Sequence, residues 1–348
     1  MVSKDAVILL PSYQPEETLI VLSKALVDRG YPVLIVDDGS GEKYAPIFEK
    51  CKGWAKVISY PVNKGKGEAL KVGYKDCLES FKDQKFVITA DGDGQHLIQD
   101  IERVYERIAK VNMSVIGIRK FDVKVPLKSR LGNGLSKFTQ SLCTLRYMKD
   151  NQCGLRAFTY EDLPTMINIK GSRYEYEMNV LTYLQMHEMP FQCITIQTIY
   201  EDNNRTTHFR PLMDTLRIQS SILLNGLSSL LFVVLEAVVA VLMCNLVFNE
   251  LAFNIELSVL SAFGIAFLLR VLFQAIVYRP KHPRRMFFRI LLYKMLLLLG
   301  NVVSITLFTR VLGLHLALSY LIGFFLTLFP LYYIVKGVGV VYDSQING

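Results

Sequence analysis

Short apolar runs, rich in β-branched residues, alternate over roughly the first 200 residues with segments whose apolar residues recur at helical spacing. Such runs are typical of buried strands, and the spaced segments of amphipathic helices. The predicted strands are Ala6–Leu10, Val33–Val36, Lys56–Ser59, Phe86–Ala90, Ser114–Ile118 and one near 192–198. The predicted helices are Pro15 to Asp28, Gly67 to Leu78, Leu97 to Ala109, and two near 130–145 and 174–186. Strands that alternate with helices predict a Rossmann-like α/β domain with a parallel-rich sheet and right-handed crossovers.

The hydrophobic pattern changes sharply near residue 222. Four long apolar stretches follow, at 222–248, 251–277, 287–310 and 312–335. Each reaches the ~20 residues that a helix needs to cross a bilayer. The sequence therefore predicts three parts: an α/β domain over 1–205, an amphipathic interface segment over 206–221, and a four-helix transmembrane bundle over 222–340.

Charge between the apolar stretches predicts their orientation. The loop from Tyr278 to Arg285 is strongly basic, whereas the link from Phe248 to Ile255 carries Glu250 and no Lys or Arg. Because basic loops stay in the cytoplasm, we expect the basic loop, the α/β domain and both termini to be cytoplasmic. The start of the chain is too polar, and its first apolar run too short, for a secretory signal. The expected location is the cytoplasmic membrane.

The chain carries a formal net charge of +8 at pH 7. Much of it lies next to the predicted membrane region, at Arg205, His208, Arg210, Arg217 and the 279–289 loop. Two interpretations are compatible: attraction to anionic lipid, or a basic lip that collects an anionic lipid-borne substrate. Nucleic acid is not an expected partner because no aromatic platform is interleaved with the basic residues. A homo-oligomer is compatible with the sequence.

The predicted strand Phe86–Ala90 ends at two carboxylates one residue apart, Asp91 and Asp93. Open α/β sheets bind their ligands at the carboxyl ends of the strands. Paired hard carboxylates suit Mg²⁺ or Mn²⁺, which in turn bind phosphate oxygens. The alternative is an ordinary polar turn after a strand.

Polar clusters follow the other early strands as well. They are PSYQPE at 11–16, DDGS at 37–40 and NKGKGE at 63–68. Glycine turns and helix starts at one sheet edge attract anions, and Lys64 or Lys66 adds positive charge. Asp37 or Asp38 can accept hydrogen bonds from a base or ribose. A P-loop and a G-x-G-x-x-G fingerprint are both missing, which disfavours a P-loop NTPase and a dinucleotide oxidoreductase. The six cysteines form no C-x-x-C pair, and we expect them to be buried thiols.

The ordered motifs PSYQPEE, VDDGS, NKGKGEAL, DGDGQH, GIRK, DNQCGLRAF and RYEYE resemble family 2 of the inverting glycosyltransferases, with the GT-A fold. Within that family the chain is most similar to the polyprenyl-phosphate hexose synthases, such as dolichyl-phosphate mannose and glucose synthases. The C-terminal region, with GNVV at 300–303 and LIG at 321–323, resembles the GtrA-like four-helix membrane domain.

The resemblance implies roles for matched residues. Asp91, Asp93 and Gln95 match the metal-binding D-x-D-x-Q. With Lys66, the candidate ligands of the nucleotide sugar are Pro11, Tyr13, Glu16, Asp37, Asp38, Asp91 and Gln95. The candidate catalytic residues are Asp93, Arg119, Arg130, Asp150 and Glu177. The candidate ligands of the acceptor phosphate are Arg119, Arg130 and Arg205. Cys153 stands where the family usually has serine.

These residue types suit transfer of one hexose from a UDP-hexose or GDP-mannose to polyprenyl phosphate with inversion. A divalent ion would neutralise the departing diphosphate, and arginines would orient the acceptor phosphate. An anionic phosphate needs no strong general base. Three alternatives stay open: another lipid acceptor such as diacylglycerol, a processive polysaccharide synthase (disfavoured without Q-x-x-R-W), and a non-enzymatic scaffold or lipid-sugar translocator.

Overall fold

The computed structural model describes residues 4–119, 146–197 and 255–315, together with short stretches and single positions elsewhere between 134 and 326. Its strands are β1 (Ala6–Ser12), β2 (Val33–Asp37), β3 (Lys56–Ser59), β4 (Phe86–Thr89), β5 (Ser114–Arg119), β6 (Arg156–Thr159) and β7 (Phe191–Ile196). Its helices are α1 (Thr18–Val27), α2 (Ala45–Cys51), α3 (Lys66–Ser80), α4 (Ile98–Val111), α5 (Leu163–Asn168), α6 (Glu175–Met186), α7 (Ile255–Tyr278) and α8 (Pro283–Thr306).

The strands form one mixed sheet in the order β3-β2-β1-β4-β6-β5-β7. The neighbouring strands from β3 to β4 are parallel, as are β5 and β7, while β6 runs antiparallel to both β4 and β5. The predicted parallel-rich sheet is therefore confirmed. Strands β2 and β3 lie on one side of β1, and β4 lies on the other. The strand order therefore reverses between β1 and β4, which is the usual place of a ligand site in such sheets.

Alternate residues of β1 fill the two faces of the sheet. Ile8 and Leu10 pack with α1, α2 and α4 on one side, whereas Val7 and Leu9 pack with α3, α5 and α6 on the other. Because helices cover both faces, the central strands are apolar at nearly every position rather than at every second one. This explains the continuous apolar runs in the sequence.

Three elements were not predicted: α2, β6 and α5. The four residues of β6 begin with a buried arginine, Arg156, and this charge breaks the apolar pattern that identified the other strands. The bounds of β3 match the prediction, and those of the other predicted strands and helices up to β7 differ by one to three residues. The exception is the predicted helix near 130–145, most of which lies outside the described residues.

The C-terminal third contributes α7 and α8, joined by the basic loop. Among the C-terminal residues that the structure describes, no helix meets the combined length and hydropathy expected of a bilayer-crossing segment. Two of the four predicted membrane stretches, 222–248 and 312–335, lie mostly outside the described residues, as does the interface segment 206–221 except Ser220.

Candidate active site

The carboxyl ends of the first four strands meet at one edge of the sheet. Ser12 of β1 is in register with Asp37 of β2, and Asp37 with Ser59 of β3. Leu9 of β1 is in register with Thr89, the last residue of β4. The polar loops that follow these strands therefore lie side by side, as the alternation of elements predicted.

The Asp38 carboxylate holds the loop after β3 against the end of β2. It accepts hydrogen bonds from the Tyr60 hydroxyl at 2.7 Å, the Lys64 N–H at 2.8 Å and the Gly65 N–H at 2.9 Å. Asn63 Nδ2 adds a fourth donor at 3.0 Å. Asp38 is buried, so its carboxylate is engaged with the protein itself. Asp38 therefore shapes this loop, and its predicted contact with a base or ribose stays a prediction.

Asp37 closes the turn after β2. Its Oδ1 accepts the Ser40 N–H at 2.9 Å, and Ser40 Oγ accepts the Gln14 N–H at 2.8 Å. The two turns after β1 and β2 are thus fixed to each other. Among the residues predicted to contact the nucleoside, Pro11 is buried at the end of β1, Tyr13 is partly exposed and Glu16 is exposed ahead of α1.

Asp91, the first residue of the DGDGQH motif, forms an ion pair with Lys66. Lys66 Nζ lies 2.5 Å from Asp91 Oδ1 and 3.0 Å from Glu177 Oε2. Burial would lower the pKa of Lys66, but the two carboxylates outweigh it and raise that pKa above its ordinary value. Burial would likewise raise the pKa of Asp91, yet Lys66 and His96 hold it well below its usual range. Three predicted site residues thus meet at one ion cluster.

His96 and Gly154 confine the Asp91 carboxylate from two further sides. His96 Nε2 lies 3.2 Å from Asp91 Oδ2, and the imidazole is buried. A Cβ atom built on Gly154 would lie 2.7 Å from Asp91 Oδ2 and 3.0 Å from Lys66 Nζ. A side chain at position 154 would therefore force the charged ends of Asp91 and Lys66 to shift. In the sequence, Gly154 was noted only as part of the motif DNQCGLRAF, and His96 was assigned no role.

Asp93 lies two residues farther along the same turn. Burial and the Asp91 carboxylate raise the pKa of Asp93 above its ordinary value, against the opposing hydrogen bond from the Gln95 N–H, which is 3.0 Å from Asp93 Oδ1. Two carboxylates that repel each other in a partly buried turn favour a cation between them. Within the described residues, no group of three or more His, Cys, Asp or Glu side chains is arranged to hold a metal ion. The protein's own carboxylate donors at this turn are therefore Asp91 and Asp93, and a divalent ion would take its remaining oxygens from Gln95, water or phosphate.

Arg119 at the end of β5 is bound to Asp150. Its Nε lies 2.7 Å from Asp150 Oδ2 and its second terminal nitrogen lies 3.0 Å from Oδ1. The Arg119 and Gln152 N–H groups also donate to Asp150. Burial would raise the pKa of Asp150, but the guanidinium outweighs it and lowers that pKa below its usual value. Two predicted catalytic residues therefore form one unit in which Asp150 orients Arg119.

Arg156 joins the segments that carry Gly154 and Glu177. Its Nε donates to the Cys153 carbonyl at 2.9 Å, and its terminal nitrogen donates to the Glu177 carbonyl at 2.5 Å. Arg156 stands within the motif DNQCGLRAF but was assigned no role, because its contact with the Glu177 carbonyl joins residues that are distant in sequence. Two other predicted site residues, Arg130 and Arg205, lie outside the described residues.

Comparison with known proteins relates this chain to the glycosyltransferases. Residues 7–163 match the model of glycosyl transferase family 2. An uncharacterized protein of Methanocaldococcus jannaschii is 32% identical over 209 residues, which cover 58% of this chain and 84% of that protein. A UDP-N-acetylglucosamine–dolichyl-phosphate N-acetylglucosaminyltransferase of Methanococcus voltae is 29% identical, over 58% of this chain and 88% of that protein. A dolichyl-phosphate β-glucosyltransferase of Dictyostelium discoideum is 26% identical, over 54% and 61% respectively. The chain belongs to glycosyl transferase family 2 and is an enzyme that transfers glycosyl groups.

Proposed function

We propose that this protein transfers one hexose from a nucleoside-diphosphate sugar to a polyprenyl phosphate, with inversion at the anomeric carbon. The products are a polyprenyl-phosphate sugar and a nucleoside diphosphate. The observation that carries the proposal is the partly buried pair Asp91 and Asp93 at the carboxyl edge of the sheet. The names of the relatives from Methanococcus voltae and Dictyostelium discoideum, which act on dolichyl phosphate, support the choice of acceptor.

The donor diphosphate would bind beside the turn that carries these carboxylates. Asp91 and Asp93, with Gln95, would hold Mg²⁺ or Mn²⁺. The ion supplies Lewis-acid stabilisation of the charge that grows on the leaving diphosphate, an effect worth several kcal/mol in metal-assisted transfer. Lys66 adds a positive charge at the start of α3, where the helix N–H groups also favour phosphate. The loop fixed by Asp38 and the turn closed by Asp37 form the wall for the nucleoside.

The acceptor phosphate would be oriented by Arg119. An oxygen of the acceptor phosphate attacks the anomeric carbon from the face opposite the nucleotide, while the bond from that carbon to the diphosphate oxygen breaks. Because the phosphate is already anionic near neutral pH, no side chain has to remove a proton. Asp150 keeps the guanidinium in a fixed plane, so that the remaining N–H groups of Arg119 can meet phosphate oxygens. Positioning and charge thus supply most of the catalysis.

A polyprenyl phosphate resides in a membrane, and we place the reaction at the cytoplasmic face. Large apolar side chains are exposed along both C-terminal helices, among them Leu268 and Ile276 on α7 and Phe288 and Leu299 on α8. Such exposed apolar surface supports contact with lipid. We also propose that the C-terminal region is a GtrA-like membrane domain and that Arg205 contacts the acceptor phosphate.

A donor panel against undecaprenyl phosphate tests the proposal. Purified full-length protein is supplied with UDP-glucose, UDP-N-acetylglucosamine or GDP-mannose, with Mn²⁺ or with EDTA, and the lipid product is identified by its mass. We expect one donor to give a singly glycosylated lipid phosphate that depends on the metal. A parallel series uses diacylglycerol as the acceptor, and product formed only there would favour that lipid. No product with any pair of donor and acceptor would contradict the proposed transferase activity.

A paired substitution tests the metal ligands. Asp93→Asn is expected to abolish transfer while thermal unfolding stays close to that of the wild type. Asp83→Asn changes an exposed aspartate in the loop before β4 and serves as the matched control. Wild-type turnover in Asp93→Asn would contradict the metal assignment.

A further inference from the structure

The ammonium group of Lys66 lies beside Asp91, the carboxylate that is proposed to bind the metal. Its ammonium lies 2.5 Å from Asp91 Oδ1 and 3.0 Å from Glu177 Oε2. The Lys66 side chain is 19% exposed, and Asp91 and Glu177 are 29% and 11% exposed, so the cluster is largely screened from water. Within this cluster one lysine therefore serves two carboxylates.

The backbone of Lys66 is fixed, so only its side chain can change partner. A Cβ atom built on Gly67 would lie 2.4 Å from Tyr176 Cβ, and one built on Gly65 would lie 2.6 Å from the Ser172 carbonyl oxygen. The Glu68 N–H also donates to the Ser172 carbonyl at 2.9 Å. The start of α3 is thus packed against the start of α6, which carries Glu177. Release of Asp91 leaves Lys66 beside Glu177 with no movement of the main chain.

We propose that Lys66 is an internal cation that competes with the divalent metal for Asp91 and moves to the donor diphosphate when the nucleotide binds. This inference rests on the proposed function. In the protein without ligands, Lys66 is the counter-ion of Asp91. A metal ion must displace it, and the ammonium then retains Glu177 and faces the anionic diphosphate. Metal and nucleoside diphosphate consequently bind with positive coupling. The metal displaces the ammonium from Asp91 and so frees it for the diphosphate, and the diphosphate draws the ammonium away from Asp91 and so frees that carboxylate for the metal.

Two features separate this proposal from a purely structural ion pair. If Lys66 competes with the metal for Asp91, removal of the Lys66 charge tightens metal binding and at the same time weakens nucleotide binding. In addition, Glu177 acts on metal affinity through Lys66: without Glu177, the ammonium has Asp91 as its remaining carboxylate in the cluster and resists displacement. A direct effect of Glu177 on the metal would persist when Lys66 is removed, whereas an effect through Lys66 would vanish.

The experiment measures the Kd of the full-length protein for Mn²⁺ by titration calorimetry and electron paramagnetic resonance, with no nucleotide, sugar or lipid present. Lys66→Met is expected to tighten Mn²⁺ binding by about tenfold or more, given the strength of charge interactions at such short range. Lys71→Met removes a lysine one and a half turns farther along α3, where Nζ lies 5.1 Å from the Tyr176 ring, and is expected to change the Kd by less than about twofold. Glu177→Gln is expected to weaken binding, and the double variant to match Lys66→Met.

Unchanged or weaker Mn²⁺ binding in Lys66→Met would overturn the inference, and so would an equal gain in Lys71→Met. Should Lys66→Met fail to fold, Lys66→Gln removes the charge but keeps a polar group beside both carboxylates, and the same gain is expected. In a second arm, UDP and GDP are expected to tighten Mn²⁺ binding more in the wild type than in Lys66→Met. Equal coupling in both would contradict the movement of Lys66 to the diphosphate. Because these measurements need no sugar transfer, failure of the donor panel would leave them intact, and an active transferase with unchanged Kd values would refute this inference alone.

Discussion

Asp150 accepts hydrogen bonds from both Nε and a terminal nitrogen of Arg119, at 2.7 and 3.0 Å, so the carboxylate fixes the plane of the guanidinium. Asp150 is buried, while Arg119 remains partly exposed at the end of β5. A buried acid bonded to a partly exposed arginine at the ligand edge of a sheet is suited to orienting that arginine toward an anion.

Asp150→Asn should impair transfer without removing Arg119. An amide offers one acceptor oxygen in place of two, so the guanidinium loses its fixed plane, and we expect kcat to fall and the KM for the lipid phosphate to rise, by about tenfold to a hundredfold in kcat/KM. Steady-state kinetics with varied acceptor measures both. Asp28→Asn, in an exposed ion pair with Lys24, is the matched control and should change neither. A loss of affinity for the nucleotide sugar alone would contradict the assignment of Arg119 to the acceptor.

The same pair predicts a pH dependence of stability. Arg119 lowers the pKa of Asp150 in the folded protein below its value in the unfolded chain, which is about 3.9. A group with a lowered folded pKa contributes stability above the unfolded pKa and loses that contribution as the pH falls through the folded pKa. The difference in Tm between wild type and Asp150→Asn should therefore be constant from about pH 5 to 7 and shrink below about pH 4. A difference that grows on acidification would contradict the sign of the shift.

Gly154→Ala should disrupt the site by steric conflict. The added methyl group would lie 2.7 Å from Asp91 Oδ2 and 3.0 Å from Lys66 Nζ, too close for either atom to keep its place. We expect transfer to fall by about a hundredfold, since a shift of about 1 Å in a carboxylate that is proposed to hold the metal costs on that order. Gly264→Ala in α7 is the control, because nothing described lies within 4 Å of its added methyl. Activity near wild type in Gly154→Ala would show that Asp91 is free to move.

His96 should support metal binding through Asp91. Replacement by alanine removes the ring nitrogen 3.2 Å from Asp91 Oδ2 and is expected to weaken Mn²⁺ binding about tenfold, as loss of a group that orients a metal ligand commonly does. His96→Gln keeps a nitrogen donor and should recover part of the affinity. His282→Gln changes an exposed histidine between α7 and α8 and should have no effect. The sign is opposite to that expected for Lys66→Met, and unchanged or tighter Mn²⁺ binding in His96→Ala would contradict this role of His96.

The sequence predicted the sheet and its ligand edge because these follow from local pattern. A run such as Phe86–Thr89 followed by carboxylates specifies both a buried strand and the chemistry at its end. The prediction was less complete where a residue's partner is distant in sequence. Lys66 was assigned to a phosphate-binding turn, yet it is paired with Asp91 and Glu177, which lie far from it along the chain.

Tertiary contacts also give Asp38 a role that the sequence did not predict. An acidic pair after β2 favours a ligand site in the sequence, but the position of the loop after β3 turns this carboxylate into its anchor. Strand β6 escaped prediction because it is antiparallel, four residues long and begins with a charged residue. Its place between β4 and β5 depends on pairing across the sheet, which a local pattern does not contain.

Cys153, which replaces the usual serine of its motif, should be chemically inert and dispensable for transfer. Burial, and secondarily the Asp150 carboxylate, raise the pKa of the Cys153 thiol to about 12, so almost no thiolate exists at pH 8. Its sulfur lies 4.0 Å from the Leu155 carbonyl oxygen, a weak contact. We expect iodoacetamide to leave Cys153 unmodified in the native protein and to label it after denaturation, as read by peptide mass. Ser80→Cys, which places a thiol on the exposed end of α3, is the control and should be labelled at once. Cys153→Ala should keep kcat within about threefold of the wild type, since the thiol contacts a main-chain carbonyl rather than a reacting group. Rapid alkylation of Cys153 in the native protein, or loss of transfer in Cys153→Ala, would assign the thiol a direct role.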